Sequence, residues 1–301
     1  MKGYDVIVLA GQSNAEGYGV GEVSEEYVPS DSVLMIGDKA SPRFEKAADG
    51  TEFLALEFPS EITVSVADEP VGGEGKVGKL ALFFVKNYVE KGLLAPDRKI
   101  LLVNAAVGGT GFARKEWGVG NILYRRLVAL TDYALGYGDG KNEIVALLWH
   151  QGECDSVCNP DFTPETRYET YKRNLTAQLE DFKNRYAAVI NGNLPFIAGG
   201  FCSEWYLKNK IPCDAVLRGL REVADEQNGA FVETSDLPSN NQKTANGDDI
   251  HFCRESLHIL GARYFDAYNV IKTDNGIGFS RHRHDFHADL SLIKTHRGAL
   301  R

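Results

Sequence analysis

Four short polar runs in this chain hold the residue types that acyl transfer needs. The first is Gly11-Gln12-Ser13-Asn14-Ala15-Glu16-Gly17, directly after the apolar residues 4–10 (YDVIVLA). A serine at the carboxyl end of a buried strand stands where open α/β sheets bind ligands. It is a nucleophile if a base and an anion-binding group reach it; by itself, a serine there more often caps a helix. The second run, Asn104-Ala105-Ala106-Val107-Gly108-Gly109-Thr110-Gly111, follows an apolar strand pattern at 99–104. Its glycine pair lets the backbone turn and aim N–H groups at a developing oxyanion, although glycines after strands commonly only make turns. The third, Trp149-His150-Gln151-Gly152-Glu153-Cys154-Asp155, packs an imidazole, an amide and two carboxylates at a strand end. So many polar groups there are costly unless used or paired. The fourth, Asp248-Asp249-Ile250-His251-Phe252, has the D-x-x-H spacing. In a tight turn a carboxylate at that distance accepts from Nδ1–H and leaves Nε2 facing outward as a base.

The elements that must position these runs alternate. Short, mostly apolar segments at 4–10, 99–104, 144–150, 195–201 and, more weakly, 230–233 read as strands buried on both faces. Between them lie helical stripes. Tyr171, Leu175, Leu179, Phe182, Tyr186 and Val189 recur at spacings of three and four. Residues 80–89 are nearly all apolar, 121–135 and 215–227 read as shorter helices, and Leu257, Gly261, Phe265 and Tyr268 mark the last. Such alternation argues for an α/β fold, a parallel sheet with helices on both faces. Residues 33–75 break it. They are expected to form an excursion beside the site, with β-like pieces at 33–36 and 62–66 and a plain loop at Gly72-Gly73-Glu74-Gly75 that lacks the lysine of a phosphate loop.

With 301 residues the chain can bury a large core as one domain. Residues 1–279 are expected to form it. Residues 280–301, with His282, His284, His287 and His296, differ in composition and read as a mobile tail. The net charge of −9 disfavours nucleic acid and anionic membrane as partners, and no apolar run approaches the ~20 residues that span a bilayer. No signal peptide is visible, because the first strand begins almost at Met1. As written the chain points to the cytoplasm, or to a secreted or periplasmic site if a leader has been removed. Cys154 with Cys158, or Cys202 with Cys213, are near enough in sequence to pair, but five reduced thiols is the expected state. No second Cys/His pair has the spacing of a zinc site.

Together the four runs resemble the blocks of the SGNH hydrolase superfamily. The closest resemblance is to carbohydrate esterase family 6, the acetylxylan esterases, and to the related sialate O-acetylesterase domain, over residues 4–268. GQSN and HQGE are specific in combination, and His251-Phe252 followed by Leu260-Gly261-Ala262-Arg263-Tyr264 is similar to the last block. The G-x-S-x-G elbow of α/β-hydrolases is absent, since Ala15 stands at its final glycine.

The resemblance implies a three-layer α/β/α sandwich with a flavodoxin-like central parallel sheet. It makes Ser13 the nucleophile, His251 the general base and Asp248 the acid that orients it, with Glu153 as second candidate for that acid. The oxyanion donors it implies are the Ser13 and Gly109 N–H groups and the Gln151 side chain. Cys154 replaces a smaller residue and places a thiol near the site. Gln12 and Asn14 are candidate substrate contacts that also shape the turn. Of the aromatics near predicted loops, which include Phe112, Trp117 and Tyr206, Trp149 and Trp205 are candidate sugar platforms. The function implied is removal of O-acetyl groups from an acetylated carbohydrate such as acetylxylan, with no metal or cofactor. The alternatives are a sialate O-acetylesterase and a catalytically silent carbohydrate-binding module.

Overall fold

The computed structural model describes residues 2–276 except positions 41, 51, 73–74 and 191. Strand β1 (Gly3–Gly11) is buried along its whole length and leads into the single-turn helix α1 (Ser13–Glu16). Then come β2 (Val33–Asp38), the hairpin β3 (Arg43–Lys46) and β4 (Glu52–Ala55), β5 (Ile62–Val66), and the short hairpin β6 (Val71–Gly72) and β7 (Gly75–Lys76). From α2 (Leu80–Glu90) onward strands and helices alternate: β8 (Arg98–Asn104), α3 (Ile122–Gly136), β9 (Glu143–His150), α4 (Glu153–Val157) and α5 (Pro164–Tyr186). β10 (Phe196–Gly199), α6 (Ser203–Lys208), α7 (Lys210–Glu226), β11 (Ala230–Val232), α8 (Asn240–Thr244) and α9 (Arg254–Gly276) complete the series.

Seven strands form the central sheet in the order β11-β10-β9-β1-β8-β2-β5, all parallel except β5, which runs antiparallel to β2. Without β2 and β5 the order is 2-1-3-4-5, the flavodoxin-like arrangement. Alternate residues of β1 enter opposite cores. Val6 and Val8 pack with α3, α5 and α7, while Ile7 and Leu9 pack with α2 and α9. Three layers result, as expected.

Local sequence explains the helices. Thr163 caps α5 by accepting from the Thr166 N–H, Pro164 starts the helix, and Lys183 and Arg185 sit in its last turn. α2 and α9 touch so closely at Gly261 that a Cβ there would lie 2.0 Å from the Leu80 carbonyl oxygen. Among the described residues no helix is long and apolar enough to cross a membrane.

Two expectations need correction. The pieces at 33–36 and 62–66 extend the sheet, because Val33 and Ile36 bury against β8 and β5 closes the open edge of β2, and only the β3–β4 hairpin between them leaves it as the expected excursion does. Gly72 and Gly75 pair across the short strands β6 and β7 rather than lying in a plain loop. The expected tail at 280–301 and its histidines lie outside the described residues.

Candidate active site

The order of connection reverses at β1, since β8 lies on one side of it and β9 on the other. The crevice at the carboxyl ends of β1 and β9 is therefore the topological switch point, where such sheets bind ligands. Gly11 ends β1 with φ of 136°, and a Cβ there would fall 2.0 Å from the His150 carbonyl oxygen. Only glycine lets the two strand ends approach this closely. Ser13 follows as the first residue of α1.

Ser13 Oγ lies 2.8 Å from His251 Nε2, and His251 Nδ1 lies 2.8 Å from Asp248 Oδ2. Asp248 Oδ1 also accepts from the His251 backbone N–H at 3.2 Å, and Asn240 Nδ2 donates to Oδ2 at 2.9 Å. Burial works against a charged Asp248. The bonds from His251 and Asn240 outweigh it and hold the carboxyl at about 2, so it is ionised at neutral pH. The Tyr18 ring stacks on the imidazole, with centroids 5.0 Å apart.

This line of three opens on a cavity of about 820 Å³ walled by Ser13, Glu16, Tyr18, Phe44, Gly108, Gly109, Arg114, Cys154, Cys158 and His251. Glu16 Oε2 accepts from the Gly108 N–H at 2.8 Å, which fixes the turn that carries Gly109. Burial pushes the Glu16 carboxyl up, against the opposing pull of that N–H and of Lys79. The hairpin β3–β4 supplies Phe44, with the Arg114 guanidinium 5.3 Å from its ring centre.

The model of the family described as "Carbohydrate esterase, sialic acid-specific acetylesterase" matches residues 3–270. The chain belongs to this family. It is a carboxylic ester hydrolase, and its class of substrate is acetylated carbohydrate. The solved structure of NanS is similar in fold, with a TM-score of 0.67 at 19% identity over 91% of this chain and 98% of that one. A carbohydrate acetylesterase from Xanthomonas citri gives a TM-score of 0.56 at 15% identity, over 89% of this chain and 56% of that one. None of the curated proteins matches.

The esterase corrects several of the residue expectations. Gln151 does not offer its amide to the cavity. It is fully buried, and its Nε2 faces three oxygen acceptors: Asp155 Oδ2 at 2.7 Å, Thr110 O at 2.9 Å and Gln12 Oε1 at 3.2 Å. Two amide protons among three acceptors leave none for an oxyanion. Glu153 does not touch the His251 ring; its Oε1 accepts from Asn14 Nδ2 at 2.7 Å, with His150 Nε2 3.6 Å away. Burial opposes its ionisation, but these neighbours hold the carboxyl below its ordinary range.

Asn14 is wholly buried and is no substrate contact. Gln12 reaches the cavity wall, but its Oε1 is taken by Gln151 and by the Gly152 and Cys154 N–H groups. Trp149 is a core residue, bonded through Nε1 to the Tyr171 hydroxyl and packed edge-on against Trp117. Trp205 is half-buried over both cores and is absent from the cavity wall. All five cysteines are free, with Cys154 and Cys158 Sγ atoms 3.3 Å apart.

The sequence left Glu16, Tyr18, Phe44, Arg114, Asn240 and Asp155 unassigned. Asp155 braces the loop after β8 by accepting from the Phe112 and Ala113 N–H groups at 3.0 and 2.6 Å. For Glu16 a signal existed, since it lies one helical turn after Ser13 on α1.

Proposed function

We propose that the protein hydrolyses O-acetyl esters of a carboxylated sugar of the sialic acid class through a Ser13 acyl-enzyme. One observation carries the reading: two 2.8 Å hydrogen bonds in series, Ser13 to His251 to Asp248, ending at a cavity wall. Ser13 Oγ attacks the acetyl carbonyl as its proton passes to His251 Nε2. Asp248 stabilises the imidazolium that forms. The oxyanion rests on the Ser13 and Gly109 N–H groups; Gly108 does not serve, because its N–H is held by Glu16. The C–O bond to the sugar breaks, the sugar oxygen takes the proton from His251, and water repeats the sequence on the acetyl-serine.

The choice of sugar follows from charge. Arg114 is the one lysine or arginine among the described residues of the cavity wall. Its Nη2 meets Glu52 Oε2 at 3.3 Å in a partly exposed pair that a substrate carboxylate can displace. A guanidinium suits a carboxylate in two-point contact, and the family model is that of a sialic acid-specific acetylesterase. Acetylated xylan, being neutral, has no use for it.

Acetate release from 9-O-acetyl sialic acid, acetylated xylan and p-nitrophenyl acetate tests the reading. Wild type is expected to prefer the sialic acid ester. Arg114→Gln should raise KM for that ester alone. Equal turnover on xylan with no Arg114 dependence would replace sialate by a neutral sugar, and full activity of His251→Ala would overturn the mechanism.

A further inference from the structure

Asn14 lies next to Ser13 in sequence but is fully buried, and both its amide protons and its carbonyl oxygen are in use. Nδ2 donates to Ile250 O at 3.2 Å and to Glu153 Oε1 at 2.7 Å, while Oδ1 accepts from the Phe252 N–H at 3.1 Å. The Ile250 carbonyl belongs to the peptide group before His251, and the Phe252 N–H to the peptide group after it. One side chain thus grips both peptide groups that flank the His251 α-carbon. Two held peptide planes fix φ and ψ of the residue between them, and so the direction in which its side chain leaves the backbone.

Glu153 completes the grip. It is 0% exposed, its Oε1 holds the Asn14 amide, and its Oε2 has no partner. A buried carboxylate with one unsatisfied oxygen is costly. A neutral apolar residue would cost less if filling space were the only task.

We infer that Asn14 and Glu153 are positioning residues for His251, acting in series from the end of β9 through the end of β1 to the two peptide groups around the imidazole. The inference rests on the reading of His251 as the base of Ser13. The grip sets the ring at the distance at which it both takes the serine proton and hands it to the leaving sugar. Asp248 holds Nδ1 and the His251 N–H, and the Asn240 N–H donates to the His251 carbonyl at 2.8 Å; Asn14 adds the hold that spans both flanking peptide groups from the strand ends.

The test uses wild type, Asn14→Ala, His251→Ala and the double variant, with an acetylated sugar and with p-nitrophenyl acetate. A sugar oxygen must receive a proton as it leaves; a nitrophenolate need not. Misplacement of the base by about 1 Å costs on the order of a hundredfold, so Asn14→Ala is expected to lower kcat ~10- to 100-fold on the sugar ester. KM should hold, and the loss on p-nitrophenyl acetate should be smaller. In the His251→Ala background the same change should have no further effect, because coupled groups are not additive. Equal losses in both backgrounds would overturn the inference while leaving the serine–histidine reading intact. Wild-type turnover by His251→Ala would overturn that reading and the inference with it.

Glu153→Ala and Glu153→Gln give a second measurement should Asn14→Ala fail to fold. The glutamine keeps an oxygen for the Asn14 amide. It is expected to recover most of the kcat lost by the alanine variant, with the same bias toward the sugar ester. No recovery counts against the relay.

Discussion

Two strand ends meet at the site, and they use their polar residues in opposite ways. The end of β1 presents a hydroxyl to the cavity, Ser13, within 2.8 Å of an imidazole. The end of β9 turns its amide and carboxylates inward, where Gln151, Glu153 and Asp155 bind Thr110, Asn14, Phe112 and Ala113. Both ends are dense in hydrogen-bonding groups. What separates them is how many of those groups the fold itself already occupies. A donor with two bonds to protein has nothing left for a substrate, whereas an acceptor–donor pair open to a cavity can change partners during a reaction.

The largest expected effect tests the open end. Ser13→Ala should lower turnover by ~10⁵-fold or more, as loss of a triad serine does elsewhere, with the melting temperature unchanged. Next comes Asp248→Asn, expected to cost about 10⁴-fold by favouring the wrong imidazole tautomer. Glu153→Gln should cost far less. If Glu153→Gln proved the more damaging of the two, the orienting acid would belong to β9 and the contrast between the ends would collapse.

The braced end predicts the reverse signature. Gln151→Ala takes one donor each from Asp155, Thr110 and Gln12. Asp155 Oδ2 keeps the Phe112 N–H and Gln12 Oε1 keeps the Gly152 and Cys154 N–H groups, so the buried Thr110 carbonyl is the oxygen left exposed to the loss. One orphaned buried group costs about 1–3 kcal/mol, so the melting temperature should fall by a few degrees. Turnover should stay within about tenfold of wild type, against the ~100- to 1,000-fold that loss of an oxyanion donor would bring. Thermal melting and turnover measured on the same preparation separate the two.

Much of this was legible in the sequence for a physical reason. Ser13 and the Asp248–His251 pair are set by local spacing, and local spacing survives folding. The strand order around β1 follows from alternation and the short-connection rules. The roles of Gln151, Asn14 and Gln12 were not legible, because saturation of an amide is a tertiary property: apart from Asp155, four residues after Gln151, their partners lie 41 residues or more away. Trp149 is a similar case. It shares its face of β9 with Leu147 and lies in the α5 and α7 core, but alternation cannot choose a face in a strand buried on both sides. The hairpin that delivers Phe44 had no such pattern, because all four residues of β3 are exposed.

The smallest expected effect on turnover, none, belongs to Glu116 in the loop after β8. Its Oε2 accepts from the Gly111 N–H at 2.8 Å and its Oε1 is buried without a partner. Burial pushes this carboxyl up to about 7, against the pull of the Gly111 bond and Arg114. Between its unfolded value of 4.5 and about 7 the folded protein therefore keeps a proton that the unfolded chain has released. Stability rises with pH only where the unfolded state binds more protons, so here the sign is negative. The Glu116 contribution is fully present below about 4.5 and is lost as pH rises toward 7. Glu116→Gln cannot ionise and should flatten that slope, although it puts an amide where Oε1 lacked a partner and so lowers stability by a pH-independent amount. Denaturant unfolding of both proteins at pH 5 and pH 7.5 reads the difference in slope. A variant as pH-sensitive as wild type would show that Glu116 does not carry the proton. A variant with altered kcat would place the loop after β8 with the open end of the site rather than the braced one.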